Sequence, residues 1–380
     1  MKKFNVLYIS NDWEVAAGAA RSLADMIVAL KDYVNPYVLI KYPGQVSKYY
    51  ESLGIKCIYC CFVDILASDK EGIKRILRFP RRAITFYKWK YICKQYIKTQ
   101  LTNIRIDIVH SNSSAMTIGT DLAQILHAKH VWHVREFLDI DYHARPLFGF
   151  TSLRENINNA DARIAISNAV KTHWRLKDNN TFVIPNAVRS KKEISYIPVK
   201  EKYFLTCSAS LSETKGSSFA IIAFAKSGLA EKGYTLKMIG SIVTDEYKNH
   251  ILNLIKEEGV EGKVELLGYK NDVKGYFEHA TAFLMTSENE ALGRVTIEAM
   301  FYGCPVIARN SGGTKEFIRN GETGYVFNGL EECARLIKDS TEFDKRIVLN
   351  AQSLAMEDYS TENYPSKILR VYRHLLYNKE

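Results

Sequence analysis

FLMTSENEALGRVTIEAMFYGCPVIARNSGGTKEFIRNGETGYVF, residues 283–327, reads as strand, loop, helix and strand in quick succession. Phe283-Leu284-Met285 is an apolar strand core that ends at Thr286 and Ser287. An acidic loop with Glu288 and Glu290 follows, and Leu292-Gly293-Arg294 opens a helix with Glu298 about one turn in. Gly303 and Cys304-Pro305 stop that helix, because glycine accepts a left-handed conformation and proline cannot continue the hydrogen-bond ladder. Gly312-Gly313 predicts a second turn beside the same loop, with Glu316 starting the next helix.

The chemistry of such a helix start is specific. Backbone N–H groups at Gly293, Arg294 and Val295 and the positive end of the helix dipole bind phosphate without any special side chain. Gly293 permits close backbone approach. Ionised carboxylates only accept hydrogen bonds, so Glu290 and Glu298 suit the hydroxyls of a sugar.

Outward from this stretch, short apolar strands alternate with amphipathic helices, the pattern of parallel sheets with helical crossovers. Strands are expected at 5–10, 37–40, 57–62, 107–110, 130–133, 163–167 and 182–184, then at 203–209, 236–240, 264–267, 281–286, 305–308 and 324–327. The 380 residues suit two domains. We expect an N-terminal domain over 1–188, a linker over 189–201 and a C-terminal domain over 202–358. A final helix over 359–380, with Ile368, Leu369, Tyr372, Leu375 and Leu376 at helical spacing, is expected to pack back on the first domain. The fold class is therefore α/β, two doubly wound domains facing across a cleft, with ligands beyond the C-terminal ends of the strands.

Composition narrows the function classes. No apolar run is long enough to span a membrane, and the N-terminus lacks the features of a signal peptide, so a cytosolic protein is expected. The seven cysteines are odd in number and irregularly spaced, and Cys57, Cys60 and Cys61 read as buried strand residues rather than a metal site. His127, His130 and His143 read as structural, and His130 and His133 point to opposite faces of a strand, so no metal site is expected. The net charge of +10 is concentrated from Lys70 to Arg105, where eleven Lys or Arg face the single acid Glu71. Apolar and aromatic residues interleave with those cations, which points to an anionic membrane surface in preference to nucleic acid.

The motif stretch resembles the C-terminal half of glycosyltransferase family 4, the group 1 glycosyltransferases, which are retaining enzymes of the GT-B fold. Glu290 and Glu298 have the family's spacing, and EAMFYGCPVIA, SGGTKEFI and NGETGYVF continue the match. Ile184-Pro185-Asn186-Ala187-Val188 is similar to the family's Pro-Asn-Gly segment, with Ala187 in place of glycine. Val131-Trp132-His133-Val134-Arg135-Glu136 resembles the segment whose histidine reaches the donor sugar. Gly18 falls where the family has its Gly-rich loop, within Ala16-Ala17-Gly18-Ala19-Ala20. One departure stands out: Lys215 and Gly216 match the family's Lys-Gly pair, but Ser210 occupies the position of its usual arginine.

The resemblance implies a reaction and a site. Glu290, His133 and Lys215 would be the catalytic residues. Glu298, Leu292, Gly293, Arg294, Val295, Ser210, Gly18, Tyr269 and Asn186 would bind the donor, Glu298 at the ribose and Tyr269 beside the base. Arg294 would take over the charge missing at Ser210. The donor is expected to be a UDP-sugar, with a GDP-sugar possible, used without cofactor or divalent metal. The acceptor is expected to be a glycan or lipid-linked glycan of cell-surface polysaccharide synthesis, at the inner face of the cell membrane. A sugar-nucleotide epimerase of the same fold and a non-catalytic nucleotide-sugar-binding protein are the rival readings. A dinucleotide oxidoreductase is set aside, since no G-x-G-x-x-G follows the first strand.

Overall fold

The computed structural model describes residues 3–10, 18–63, 66–68 and 73–377. Ala16, Ala17, Lys70 and Glu71 lie outside the described residues. The chain forms two compact units, residues 1–187 with 361–380, and residues 188–360.

Unit 1 is built on β1 (Phe4–Ile9), β2 (Val34–Ile40), β3 (Lys56–Tyr59), β5 (Ile108–Ser111), β6 (Lys129–Val134), β8 (Ala162–Ala165) and β9 (Thr181–Val183). They pair in the order β3-β2-β1-β5-β6-β8-β9, every pair parallel. The central strand β1 is apolar nearly throughout because helices cover both faces. Its side chains alternate between two cores: Val6 and Tyr8 face one, Leu7 and Ile9 the other. The C-terminal helix Tyr364–Tyr377 closes the first face, with Ile368, Leu369 and Tyr372 packed beside Leu23 and Ile27 of the helix Gly18–Leu30. Strand order reverses between β1 and β5, and that switch point is where open α/β sheets hold ligands.

Two further strands escape sequence reading. β4 (Leu66–Ser68) and β7 (Ala144–Pro146) form an antiparallel pair of three residues each, too short to show any alternation. The basic segment is a helix, Ile73–Gln100, with Pro80 inside it.

Unit 2 holds β10 (Tyr203–Ser210), β11 (Thr235–Ser241), β12 (Val264–Gly268), β13 (Ala282–Met285), β14 (Val306–Arg309) and β15 (Tyr325–Phe327). They pair in the order β12-β11-β10-β13-β14-β15, again all parallel. Each of the thirteen strands expected from sequence thus has its counterpart in one of the two sheets. The order reverses between β10 and β13, so the loops that follow these two strands flank the switch point of unit 2.

Residues 188–201 belong to unit 2 and are held against it. The Ser195 N–H donates to the Phe301 carbonyl at 3.1 Å, and Lys200 Nζ donates to the Gly303 carbonyl at 3.0 Å. Glu316 does not start a helix. It ends a single 3₁₀ turn, Thr314–Glu316, because Thr323 Oγ1 accepts from the Arg319 N–H at 2.8 Å and donates to the Phe317 carbonyl at 2.7 Å, which folds the chain back towards β15.

Candidate functional site

The loop after β13 is fixed from two sides. On one side Gly216, at φ +68°, ends the turn after β10 so closely that a Cβ there would lie 2.2 Å from the Thr286 carbonyl oxygen. The Glu288 N–H donates to the Thr214 carbonyl at 3.1 Å, and Thr286 Oγ1 donates to the Lys215 carbonyl at 3.2 Å. On the other side Gly312, at φ +56°, lies against Glu290, and a Cβ at 312 would meet the Glu290 carbonyl oxygen at 2.4 Å. The Gly313 N–H also donates to that oxygen, at 2.7 Å.

These contacts set Lys215 opposite Glu290. The Lys215 ammonium donates to Glu290 Oε1 at 2.7 Å, with both side chains partly open to solvent. The two residues are far apart in sequence, and the paired loops at the switch point bring them together.

Gly293, at φ +83°, is the N-cap of the helix Arg294–Phe301 and provides no side-chain cap. Leu292 is buried, so the backbone is its usable part, whereas Arg294 and Val295 are half-buried. Thr314 Oγ1 lies 2.7 Å from the place a Gly293 Cβ would take, and Thr296 Oγ1 lies 3.5 Å from it. Both hydroxyls are buried and have no hydrogen-bond partner among the described residues. A helix start with two unsatisfied hydroxyls beside it suits an oxyanion.

Glu298 is one turn further on, where Arg189 Nη2 reaches its Oε1 at 3.1 Å. Arg189 also lies over the Tyr302 ring, 5.7 Å from its centre. Ser210 is the last residue of β10, paired with Ser241, and its carbonyl accepts from Ser208 Oγ at 2.8 Å. Tyr269 follows the end of β12 and is exposed.

Of the remaining expected residues, all in unit 1, His133 is on β6 and Asn186 follows β9, and Arg135 joins these two. Arg135 is buried and makes three contacts: Nε donates to Asn112 Oδ1 at 2.8 Å, Nη1 to Asn186 Oδ1, and Nη2 to His133 Nδ1 at 3.3 Å. His110 Nε2 lies 3.2 Å from the same His133 nitrogen, and its Nδ1 lies 2.8 Å from the Tyr372 hydroxyl. Burial, and then the Arg135 charge, hold both imidazoles well below the ordinary histidine value. Next to them Glu136 is pushed up to about 7 by burial, against the opposing hydrogen bonds from Ser113 and Ser114. Gly18 is the first residue of its helix, and residues 11–17 before it lie outside the described residues.

Sequence reading singled out Glu290, Lys215 and the Gly293 helix start, but assigned no role to Arg189, Asn112, His110 or Arg135, and read Tyr372 only as a packing residue of the last helix. The signal for Arg135 was present inside the Val131–Glu136 stretch, as an arginine directly after the strand that carries His133. His130 Nε2 lies 3.0 Å from Ser111 Oγ. Among the described residues, no three His, Cys, Asp or Glu side chains gather as metal ligands.

Two family models match in succession, "Glycosyltransferase Family 4" over residues 41–192 and "Glycosyl transferases group 1" over residues 188–352. Between them they span residues 41–352, which includes every element of the unit 2 site. The chain belongs to the group 1 glycosyltransferases. An uncharacterized glycosyltransferase of Haemophilus influenzae is 26% identical over 230 residues, 58% of this chain and 62% of its own length. The N-acetyl-alpha-D-glucosaminyl L-malate synthase of Bacillus anthracis is 26% identical over 226 residues, 58% of each chain. The chain thus spans about 60% of the length of these two curated relatives. Among solved structures, Anabaena HepE in complex with UDP and glucose superposes with a TM-score of 0.76 at 20% identity, over 97% of this chain and 99% of that one. This family member therefore has the GT-B fold, two Rossmann-like domains with parallel sheets.

Proposed function

We propose that the chain is a retaining glycosyltransferase that moves a sugar from a nucleotide-diphosphate sugar, a UDP-sugar in preference to a GDP-sugar, to a glycan or lipid-linked acceptor. The observation that carries this reading is the meeting of Lys215, Glu290 and the uncapped helix start at Gly293 on one sheet's switch point. The group 1 family match and the UDP held by the HepE relative support the donor class.

In this reading the diphosphate lies against the helix start, with the Thr296 and Thr314 hydroxyls and Arg294 beside it. Glu298 takes the ribose hydroxyls, Tyr269 lies beside the base, and Ser210 faces the diphosphate without adding charge. The C1–O bond of the donor breaks with its electron pair going to the diphosphate. Lys215 and the helix dipole stabilise the charge that develops there, the task a divalent cation performs in other transferases. Glu290 exchanges its ion pair with Lys215 for the hydroxyls of the transferred sugar and orients C1. The acceptor oxygen bonds to C1 on the face that the phosphate leaves, and its proton passes to the departing phosphate oxygen, so configuration is retained.

The acceptor class rests on the helix Ile73–Gln100. Ile73, Leu77, Ile84, Tyr87 and Tyr91 recur at spacings of three, four or seven residues and are 57–75% exposed, with Arg75, Arg78, Arg81 and Lys88 on the same helix. An apolar stripe edged by cations fits the interface of an anionic membrane, so we place the enzyme on the inner face of the cell membrane, working on polysaccharide precursors. No described helix is long and apolar enough to cross a membrane.

The test is release of free nucleotide from a panel of UDP- and GDP-sugars, wild type beside Glu298→Ala. Slow hydrolysis of one UDP-sugar that is lost in the variant is expected. Conversion of a nucleotide sugar into its epimer without nucleotide release would replace this reading with an epimerase.

A further inference from the structure

On the helix Ile73–Gln100, Arg78, Arg81, Arg82 and Thr85 recur at spacings of three and four residues and so share one face. They line a cavity of about 470 Å³ together with Leu66 of β4 and Leu147, which follows β7. No carboxylate is among the described residues that line it. Thr85 Oγ1 donates its hydrogen to the Arg81 carbonyl at 2.8 Å, so the guanidinium groups are the donors that this cavity offers. Three guanidinium groups beside leucine side chains suit one compact anion of high charge. A phosphate presents the oxygens that such planar forks bind in pairs.

Leu147 also lines a second cavity, a groove of about 390 Å³. Ile76, Phe79, Pro80 and Phe150 give it its apolar surface, and Arg75 and Arg145 line it as well. Ile76 is 67% and Phe79 40% exposed, so hydrocarbon laid along the groove would be removed from water on both sides. An arginine-lined cavity and an apolar groove that have one residue in common match a ligand whose phosphate is attached to a hydrocarbon chain. A free phosphate would leave the groove empty, and a nucleic acid has no chain to place in it.

We infer that this pair of cavities is a binding site for the phosphate of a single lipid molecule, with Arg78, Arg81 and Arg82 on the phosphate oxygens and the first carbons of the chain in the groove beyond Leu147. The site goes beyond attraction to a charged surface, because it selects a headgroup by its shape. It rests on the proposed membrane placement for the source of the phosphate, and on the cavity alone for the preference.

The experiment has two arms, both on the full chain. In the first, calorimetry measures binding of short-chain phosphatidic acid below its micelle concentration, beside glycerol 3-phosphate. One lipid per chain is expected, with glycerol 3-phosphate at least about tenfold weaker because it leaves the groove empty. Equal affinities, or no binding of the lipid, overturn the inference. Arg81→Lys, which keeps the charge and loses the planar fork, is expected to weaken the lipid about tenfold. Lys88→Gln, which removes a charge from the same helix outside the cavity, is expected to change it less than about twofold. Equal effects in the two variants would mean diffuse attraction and would overturn the site. In the second arm, the chain is sedimented with phosphatidylcholine vesicles that carry phosphatidic acid or, at matched surface charge, phosphatidylglycerol. A preference of about fivefold or more for the terminal phosphate of phosphatidic acid is expected, and equal partitioning overturns the site. Nucleotide release by wild type and Glu298→Ala is read separately in unit 2, so failure of the proposed transfer reaction and failure of this inference are told apart.

Discussion

Arg189 Nη2 lies 3.1 Å from Glu298 Oε1, and so the carboxylate assigned to the donor ribose is held by a cation from the segment that opens unit 2. The ion pair is mostly shielded from solvent, with the Glu298 side chain 14% and the Arg189 side chain 30% exposed. An arginine here does more than neutralise charge: its contact with Oε1 restrains the Glu298 carboxylate.

Arg189→Gln is expected to weaken donor binding about tenfold, the scale of one charge-assisted hydrogen bond. A double-mutant cycle with Glu298→Ala checks it by calorimetry. Coupling of about 1 kcal/mol or more between the two positions is expected, since residues in direct contact fail to add. Strict additivity would separate Arg189 from the ribose site.

Lys215 is ion-paired with Glu290 and is the cation proposed to face the leaving diphosphate. Lys215→Met is expected to lower kcat about 100-fold while KM for the donor moves far less, as befits charge stabilised in the transition state. Lys215→Arg should recover part of the loss. Steady-state nucleotide release measures both. A change confined to KM would make Lys215 a ground-state contact only.

Gly312 has φ +56° and no room for a Cβ beside the Glu290 backbone. Gly312→Ala is expected to cost about 2 kcal/mol or more from backbone strain and steric clash together. Chemical denaturation followed by a probe in unit 2 checks this, with loss of turnover exceeding loss of folded protein because Glu290 is displaced first.

Glu136 gives a pH dependence of stability. Its folded value of about 7 is above that of an unfolded carboxyl, so the folded state holds its proton more tightly. The associated stability is present below the unfolded value and is lost as pH rises through about 7. Buried His110, His130 and His133, held below the ordinary histidine value, act in the opposite sense over this range, so the Glu136 contribution is read from the difference between wild type and Glu136→Gln, which keeps the size and removes the ionisation. Between about pH 5.5 and pH 8 wild type is expected to lose stability relative to Glu136→Gln, by at most about 3 kcal/mol. A difference between the two proteins that stays constant over this range would contradict the assignment.

Sugar transfer is expected to continue in excess EDTA at a rate within about twofold of the untreated enzyme, because in the proposed reaction lysine and a helix dipole take the metal's place. Radiolabelled sugar incorporation into acceptor measures it. Activity that disappears with EDTA and returns with magnesium would place a divalent cation in the reaction.

How much of this was legible in the sequence follows from the physics of each element. The strands of both sheets were readable because parallel strands covered on both faces are continuous apolar runs, as Val6–Ile9 and Ala282–Met285 illustrate. Antiparallel Leu66–Ser68 and Ala144–Pro146 are too short and too mixed for any periodic signal. Glu290, Glu298 and the Gly293 helix start were readable because they lie in one local strand–loop–helix unit. Arg189 was not, since its partner is 109 residues away and nothing in the spacing of the two betrays the contact. The His110–Tyr372 hydrogen bond spans 262 residues and depends on the C-terminal helix returning to unit 1, so only the packed fold displays it. Gly18 begins its helix as a small residue after β1 should, while its loop lies outside the described residues.

The most direct test of the central claim is calorimetric titration of UDP into the full chain, with Glu298→Gln beside it. The account predicts one UDP bound per chain by the wild type and about tenfold weaker binding by the variant, which keeps the shape and loses the carboxylate charge. Absence of UDP binding by the wild type, or equal affinity in the two proteins, would contradict the placement of the nucleotide on the helix start at Gly293.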